Sequence, residues 1–344
     1  MQFWRHASRA HGGFSIERPA MATPRRSVHR ASGGMRRKFY TLRTTVVIPT
    51  YNRCHDLRFT CQQLQHLDPA PDEVIICLDG CTDSSRSMLA SNFPSYRVIE
   101  NYVAQGSIPS RDRAFRMATG DLIISLDDDS YPIDPAFITK VKALFDKHPQ
   151  VGVFTFPEIL DDQAADTKAT LDPTPKYVRD FPNCAAVMRR CLYGDFAQYP
   201  TFFSHAYAES DYSLQLYANG YAVRFEPSLS IRHHFTPKER NMLTRHWLNA
   251  RNELWSVLLR CPMPYVVGVV PLRVIRQFIF ALGKGFGWWS REYRWWIPAA
   301  AGVRRCLAQR RPIPWKIYSA WLCLARKPAL SLDELKASFG EVFK

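Results

Sequence analysis

Four short apolar runs, each passing directly into a polar cluster, set the tightest limit on how this chain can fold. TTVVIPT (44–50) leads into YNR, EVIICLDG (73–80) into CTDSS, YRVIEN (96–101) into YVAQG, and DLIISL (121–126) into DDDS. The runs are rich in Val, Ile and Leu and lack a polar alternation, so each predicts a strand buried on both faces. Between them lie stretches with helical spacing. One spans Leu57 to Leu67 and is ended by Pro69 and Pro71, one follows CTDSS, where Thr82 or Asp83 can cap it, and one spans Ser110 to Thr119. Strands alternating with helices predict a mostly parallel sheet flanked by helices. Ligands of such sheets bind at the carboxyl ends of the strands, where PTYN, LDGCTD and DDDS fall.

Further along, a Pro-, Asp-, Ala- and Thr-rich stretch from Phe156 to Pro182 reads as a long loop. AESDYSLQLYANGY has helical spacing and a C-terminal glycine, Gly220; a strand YAVRFEP, then SIRHHF and the helix NMLTRHWLNARNELWSVLLR follow.

The charge is unevenly spread. A formal +15 over 344 residues first raises nucleic acid or an anionic membrane as partner. Residues 1–43 hold ten basic residues against Glu17, and residues 260–330 hold thirteen against Glu292, which leaves residues 44–259 at −5. Two basic flanks therefore surround a mildly acidic middle. The N-terminal flank has no apolar core and is not a secretory signal; an organellar transit peptide, a disordered leader, or a true start at Met21 or Met35 all fit it. Nine cysteines, an odd count without a C-x-x-C spacing, point to a reduced, cytosolic chain. Arg273 and Arg276 interrupt the best apolar stretch, Pro264 to Leu282, so no bilayer-spanning helix is expected. Six of the nine tryptophans lie between Trp288 and Trp321 among Arg and Lys, a mixture that suits the headgroup layer of a membrane. The same residues could instead pack onto the rest of the chain. No recognisable nucleic-acid motif accompanies them, so no nucleic-acid partner is expected.

Asp127, Asp128 and Asp129 are the most chemically specific feature. Three adjacent carboxylates repel one another and call for a compensating cation, and oxygen ligands suit Mg²⁺ or Mn²⁺. A solvated acidic turn is the plainer reading. Asp79, also at a strand end, is placed to accept a hydrogen bond from a nucleobase N–H.

Taken together, VVIPTYNR, IICLDGCTDSS, the block NYVAQGSIPSRDRAFRMATGDLIISLDDDSYP and AESDYSLQLYANGY resemble the family 2 glycosyltransferases in order and interval, over roughly residues 44–255. The resemblance implies a GT-A α/β fold and an inverting, metal-assisted transfer from a nucleotide-sugar donor to a glycan or lipid-linked glycan hydroxyl. UDP-sugars lead as donors and dTDP-sugars follow, since the mid-chain arrangement also looks like rhamnosyl-transferring members of a bacterial surface-polysaccharide type. On this resemblance Pro49, Thr50 and Tyr51 line the base, Tyr51 stacking on it, and Asp79 matches the second acid of the family's Asp-Asp-Gly, with Leu78 in place of the first. Arg111 helps hold the donor, although its usual Asn neighbour is Asp112. Asp127 and Asp129 are the outer acids of the D-x-D motif, Asp129 a metal ligand and Asp127 serving the metal or the ribose, with Asp128 in the variable middle and expected among the cofactor-binding residues. Glu209 falls on the general base and Asp211 on the acid that could replace it, while Ala208 takes the family's first acidic position. His233, or His234 beside it, completes the metal site, and Arg251 of Arg251-Asn252 reaches the diphosphate.

The expected organisation is a basic leader (1–43), a catalytic domain (44–259) and a basic aromatic helical region (260–344). The enzyme would work as a peripheral protein at the cytoplasmic face of a plasma membrane with an anionic surface. The departures at Leu78, Asp112 and Ala208 leave one rival, a non-catalytic adaptor binding lipid or nucleic acid through its basic flanks.

Overall fold

Every residue of TTVVIPT is buried, and this run forms the central strand β1 (Thr44–Thr50) of an eight-stranded sheet. In this computed structural model residues 42–160, 173–234 and 241–343 are described. The leader expected over 1–43, apart from Leu42 and Arg43, therefore lies outside the described residues, as does much of the loop expected after Phe156. β2 (Glu73–Asp79) and β4 (Leu122–Ser125) pair with β1 in parallel, and β3 (Arg97–Asn101) pairs in parallel with β2. The register sets Thr50 level with Leu78 and Asp79 level with Asn101, so the polar clusters emerge along one edge.

The other half of the sheet changes direction. β9 (Ala186–Arg189) runs antiparallel between β4 and β6 (Val151–Thr155), β10 (Ala222–Phe225) is parallel to β6, and the short β8 (Lys176–Tyr177) closes the edge. A second sheet joins β5 (Ser130–Pro132), β11 (Ile231–His233) and β7 (Glu158–Leu160). It starts directly after the acid triplet and sets His233 opposite Ser130. β7 and β8 fall inside the stretch read as loop; at three and two residues they are too short for a periodic signal.

α1 (Cys54–Leu64), α2 (Ser85–Asn92), α3 (Ser107–Met117) and α4 (Phe137–Lys147) connect these strands. α1 and α3 each begin three residues before the sequence predicts. Their first N–H groups are accepted by side chains from elsewhere: Asp83 Oδ2 takes the Cys54 N–H at 2.9 Å, and Asp79 Oδ2 takes the Gly106 N–H at 2.8 Å. Caps supplied across the sheet leave no local signature.

α5 (Ala208–Ala218) precedes β10, and α6 (Met242–Arg260) opens the helical C-terminal part, which continues with α7 (Val266–Gly283), α8 (Trp296–Ala308), α9 (Trp315–Leu324) and α10 (Leu332–Phe339). The described residues form a single compact unit. Trp321 is fully buried, its indole N–H donating to the Arg179 carbonyl and the Ser213 hydroxyl at 3.0 Å each. Truncating such a side chain to Ala costs about 3–5 kcal/mol. Trp255 donates to the Ala299 carbonyl at 2.9 Å, and Ala329 pairs with Tyr177 beside the edge strand β8. Two of the six clustered tryptophans, Trp295 and Trp321, thus face inward. All nine cysteines are free.

Candidate active site

β4 ends at Ser125, and Leu126 leads into the three aspartates at the open edge of the sheet, where each meets a cation from the chain itself. The buried Arg111 of α3 forms an ion pair with Asp127 and donates to Ser125 Oγ and the Leu126 carbonyl at 2.8 Å each. Arg53 bridges Asp128 Oδ1 at 2.8 Å and Asp129 Oδ2 at 2.9 Å. His233 Nε2 lies 3.0 Å from Asp129 Oδ1, and its Nδ1 lies 2.9 Å from Glu158 Oε2. Burial works against charge on Asp129, yet His233 and Arg53 hold its carboxyl well below the usual range. Burial likewise opposes the His233 imidazolium, but Asp129 and Glu158 outweigh it and lift the pKa to about 9. Arg53, which the motif comparison did not single out, is the last residue of VVIPTYNR and can be recognised only by what it reaches.

Asp128 is turned away from solvent. It is buried, accepts the Thr50 hydroxyl at 2.7 Å and Arg53, and burial pushes its pKa up to about 7. Its expected cofactor-binding role, and that of Thr50, give way to locking the ends of β1 and β4 together. Pro49 is likewise buried within β1, whereas Tyr51 is 56% exposed at the strand end and free to stack.

Asp79 also departs from expectation. Only 5% exposed, it accepts Asn101 Nδ2 at 2.8 Å, the Gln105 N–H at 2.9 Å and the Gly106 N–H at 2.8 Å. It fixes the loop before α3 instead of presenting its carboxylate to a base. Gly106 has φ 106°, and a Cβ there would sit 2.6 Å from the Ser204 carbonyl, so this loop touches the segment leading into α5.

Ser204, Ala206 and Tyr207 in that segment all have left-handed backbones, with φ of 60°, 63° and 67°. Such strain persists only where the surroundings over-determine it. Here the buried Asn252 donates to the carbonyls of Phe203, His205 and Ala206, and Arg251 Nη2 donates to the Phe203 carbonyl at 2.9 Å. The Arg251 guanidinium also stacks 4.4 Å from the Trp255 ring centroid. The pair expected at the diphosphate is therefore the clamp of the loop that starts α5.

α5 carries the two acids proposed as base, and their surroundings differ. Glu209 is partly exposed, accepts Asn183 Nδ2 at 2.6 Å, and feels both Arg111 and Asp127 electrostatically, so it shares the cleft with the acid triplet. Burial raises its pKa. Asn183 in turn accepts the buried Tyr199 hydroxyl at 2.5 Å. Asp211 is fully buried on the opposite side, accepting Ser256 Oγ at 2.8 Å, Arg260 Nη2 at 2.8 Å and Gln215 Nε2 at 2.7 Å. It ties α5 to α6 and has no access to an acceptor. Asp112, at the position where Asn is usual, is engaged by Arg116 at 3.0 Å and the Tyr193 hydroxyl at 2.8 Å. Asn183 and Tyr199, like Glu158, lie in segments without a recognisable motif.

Asp127, Asp129 and His233 each offer one ligand atom, all within 4.8 Å of one another, and His233 shares a second such group with Glu158 and Cys184. Two carboxylates and an imidazole fit Mn²⁺ and, less specifically, Mg²⁺. Burial raises the Cys184 thiol well above its ordinary pKa, which keeps it protonated and a poor partner for a hard cation. His234 points elsewhere, packing edge-on to Phe59 at 5.0 Å. The triplet lines neither of two cavities of about 410 and 480 Å³, one beside α1 and β5, the other between α3 and α8.

Residues 45–200 match the family described as glycosyl transferase family 2. Over 97 residues the chain is 33% identical to the uncharacterized glycosyltransferase YibD of Escherichia coli K12, a match spanning 27% of this chain and 28% of that relative. Among solved structures, TarS 1-349 of S. aureus in complex with UDP-GlcNAc superposes with a TM-score of 0.56 at 15% identity, covering 88% of this chain and 90% of that one. The mannosyltransferase PcManGT of Pyrobaculum calidifontis in complex with GDP-Man and Mn²⁺ gives 0.51 at 19% identity, covering 87% and 86%. These likenesses establish a GT-A fold with a helical C-terminal part.

Proposed function

Because residues 45–200 match glycosyl transferase family 2, we propose that the chain transfers a sugar from a nucleoside-diphosphate donor to a hydroxyl of a glycan or lipid-linked glycan, with inversion at the anomeric carbon. The observation that carries this reading is one cleft holding both halves of the chemistry. Asp127, Asp129 and His233 gather three ligand atoms within 4.8 Å, and Glu209 lies within electrostatic reach of Asp127 and Arg111.

Tyr51 offers an exposed ring for the base. Asp79, by fixing the Gln105 and Gly106 amides, sets the loop that bounds the donor side. Asp127, Asp129 and His233 would hold a divalent cation, which supplies charge neutralisation for the diphosphate leaving group. Arg111 keeps Asp127 oriented by its fixed fork. Glu209 accepts the acceptor hydroxyl's proton as that oxygen bonds to the anomeric carbon and the bond to the diphosphate oxygen breaks. The electron pair leaves with the nucleoside diphosphate, and no covalent enzyme intermediate is needed.

The reading is tested by release of nucleoside diphosphate from UDP-, GDP- and dTDP-sugars, with Mn²⁺ or Mg²⁺ and with chelator. One donor should turn over only with metal, and Asp129→Ala should lose at least a hundredfold. Undiminished turnover by Asp129→Ala in chelator would overturn the metal-assisted mechanism. We also propose, from the basic aromatic C-terminal part, that the acceptor is met at the cytoplasmic face of a membrane.

A further inference from the structure

α7 has its polarity reversed. Arg273, Arg276 and Gln277 are its polar side chains, and all three reach inward to Glu253 of α6, which is buried. Apart from Arg276, whose side chain is 51% exposed, the side turned to solvent is apolar: Val267, Leu272, Ile275, Ile279, Leu282 and, just beyond the helix, Phe286 are between 53% and 75% exposed. Leu272, Ile275, Ile279 and Leu282 follow at three- and four-residue steps of this one helix, which places them in one stripe. A surface helix in water carries the opposite arrangement, and a contiguous exposed apolar stripe marks a binding face.

We propose that the outer face of α7 is the surface by which this protein docks on an anionic lipid bilayer, the helix lying in the headgroup layer. Charge selects this occupant. Residues 260–330 carry thirteen basic residues and one acid, and that acid, Glu292, is buried against His246, so the exposed charges of this region are cationic. Lys284 and Arg291 are exposed just past the stripe, Lys284 with its ammonium 5.6 Å from the Phe280 ring centroid. Apolar contact plus nearby cations is the binding chemistry of an interfacial helix on anionic lipid.

Length and composition alone would allow α7 to cross a membrane. Its attachment argues against that: crossing would strip Arg273 and Arg276 from Glu253. Asn252, next to Glu253 on α6, holds the carbonyls of His205 and Ala206 in the segment that leads into α5 and Glu209. Docking through α7 would therefore hold the segment carrying Glu209 close to the lipid surface. This deepens the proposed transfer to a membrane-borne acceptor, but the docking itself does not depend on turnover.

Flotation of the full chain with phosphatidylcholine vesicles, with and without phosphatidylglycerol, tests it. Wild type should float with the anionic vesicles, release at high salt, and be extracted by alkaline carbonate. Ile275→Glu/Ile279→Glu, on the exposed stripe, should keep the wild-type melting temperature and its donor turnover with a soluble acceptor, yet bind anionic vesicles at least tenfold less. Equal vesicle binding by the double variant would overturn the assignment. So would a wild-type dimer by light scattering that the variant converts to monomer without wild-type flotation, since the stripe would then join two copies. Resistance to carbonate would mean that α7 spans. Loss of donor turnover with intact flotation would refute the catalytic reading and leave the docking surface standing.

Discussion

Asp211→Asn separates a structural acid from a catalytic one. The Asp211 carboxylate is fully buried and receives Ser256, Arg260 and Gln215, with Arg260 itself buried. An Asn keeps the volume but removes the charge and turns two N–H donors toward groups that are themselves donors. Breaking one partner of a buried ion pair costs about 3–5 kcal/mol, because the other charge stays buried and uncompensated. At about 2 °C per kcal/mol for a chain of this size, the melting temperature should fall by about 6–10 °C. Well below that temperature kcat should change less than threefold. Glu209→Gln should do the reverse. It keeps an oxygen for Asn183 and an unchanged melt, but removes the proposed proton acceptor, which costs about 10²–10⁴ in rate. Differential scanning fluorimetry beside nucleoside diphosphate release reads both. A normal melt for Asp211→Asn with a hundredfold loss of transfer, together with an active Glu209→Gln, would refute the assignment and exchange the two roles.

The same cleft yields two further predictions. Burial raises the Glu209 pKa, and a base must be ionised to work, so the acid limb of kcat/KM should lie above the ordinary Glu value of about 4.3. Asn183→Leu removes the hydrogen bond that favours the ionised form, so it should move that limb to still higher pH, and an unmoved or lowered limb would contradict it. Asn252→Ala leaves the carbonyls of Phe203, His205 and Ala206 without their shared donor, at a cost of about 1–3 kcal/mol. Hydrogen exchange should rise in residues 203–207, with kcat falling and donor KM unchanged.

What could be read beforehand follows from locality. The strands were legible because a strand buried on both faces must be apolar throughout, and the acid triplet because three carboxylates at a strand end have few uses. Which acid does what was not legible. Asp79 and Asp127 both end apolar strands, yet Asp79 is taken up by two backbone amides and Asn101, while Asp127 keeps an open side in the cleft. Glu209 and Asp211 are two residues apart on one helix and so project to different sides, one to the cleft and one to α6. Arg251 and Asn252 match a family pair, but their hydrogen bonds go to a strained loop some fifty residues earlier. Each distinction is made by long-range partners, which leave no trace in spacing.

Three adjacent carboxylates do not require a metal for this fold to tolerate them, because Arg111, Arg53 and His233 already stand against them. That arrangement bears on how a cation would enter. A free divalent ion at Asp127 and Asp129 would approach a nearly neutralised site, meet the repulsion of Arg53 and Arg111, and have to displace the proton that His233 shares with Asp129 before its imidazole could serve as a ligand. An ion that arrives with a nucleoside diphosphate brings its own compensating negative charge. Metal and nucleotide should therefore bind with positive coupling, and by reciprocity each should tighten the other by the same factor. Calorimetric titration of Mn²⁺ with and without UDP should show at least a tenfold difference in Kd, about 1.4 kcal/mol of coupling. Equal Mn²⁺ affinity in both titrations would mean that the internal cations do not govern the site, and that the acid triplet holds its metal independently of the donor.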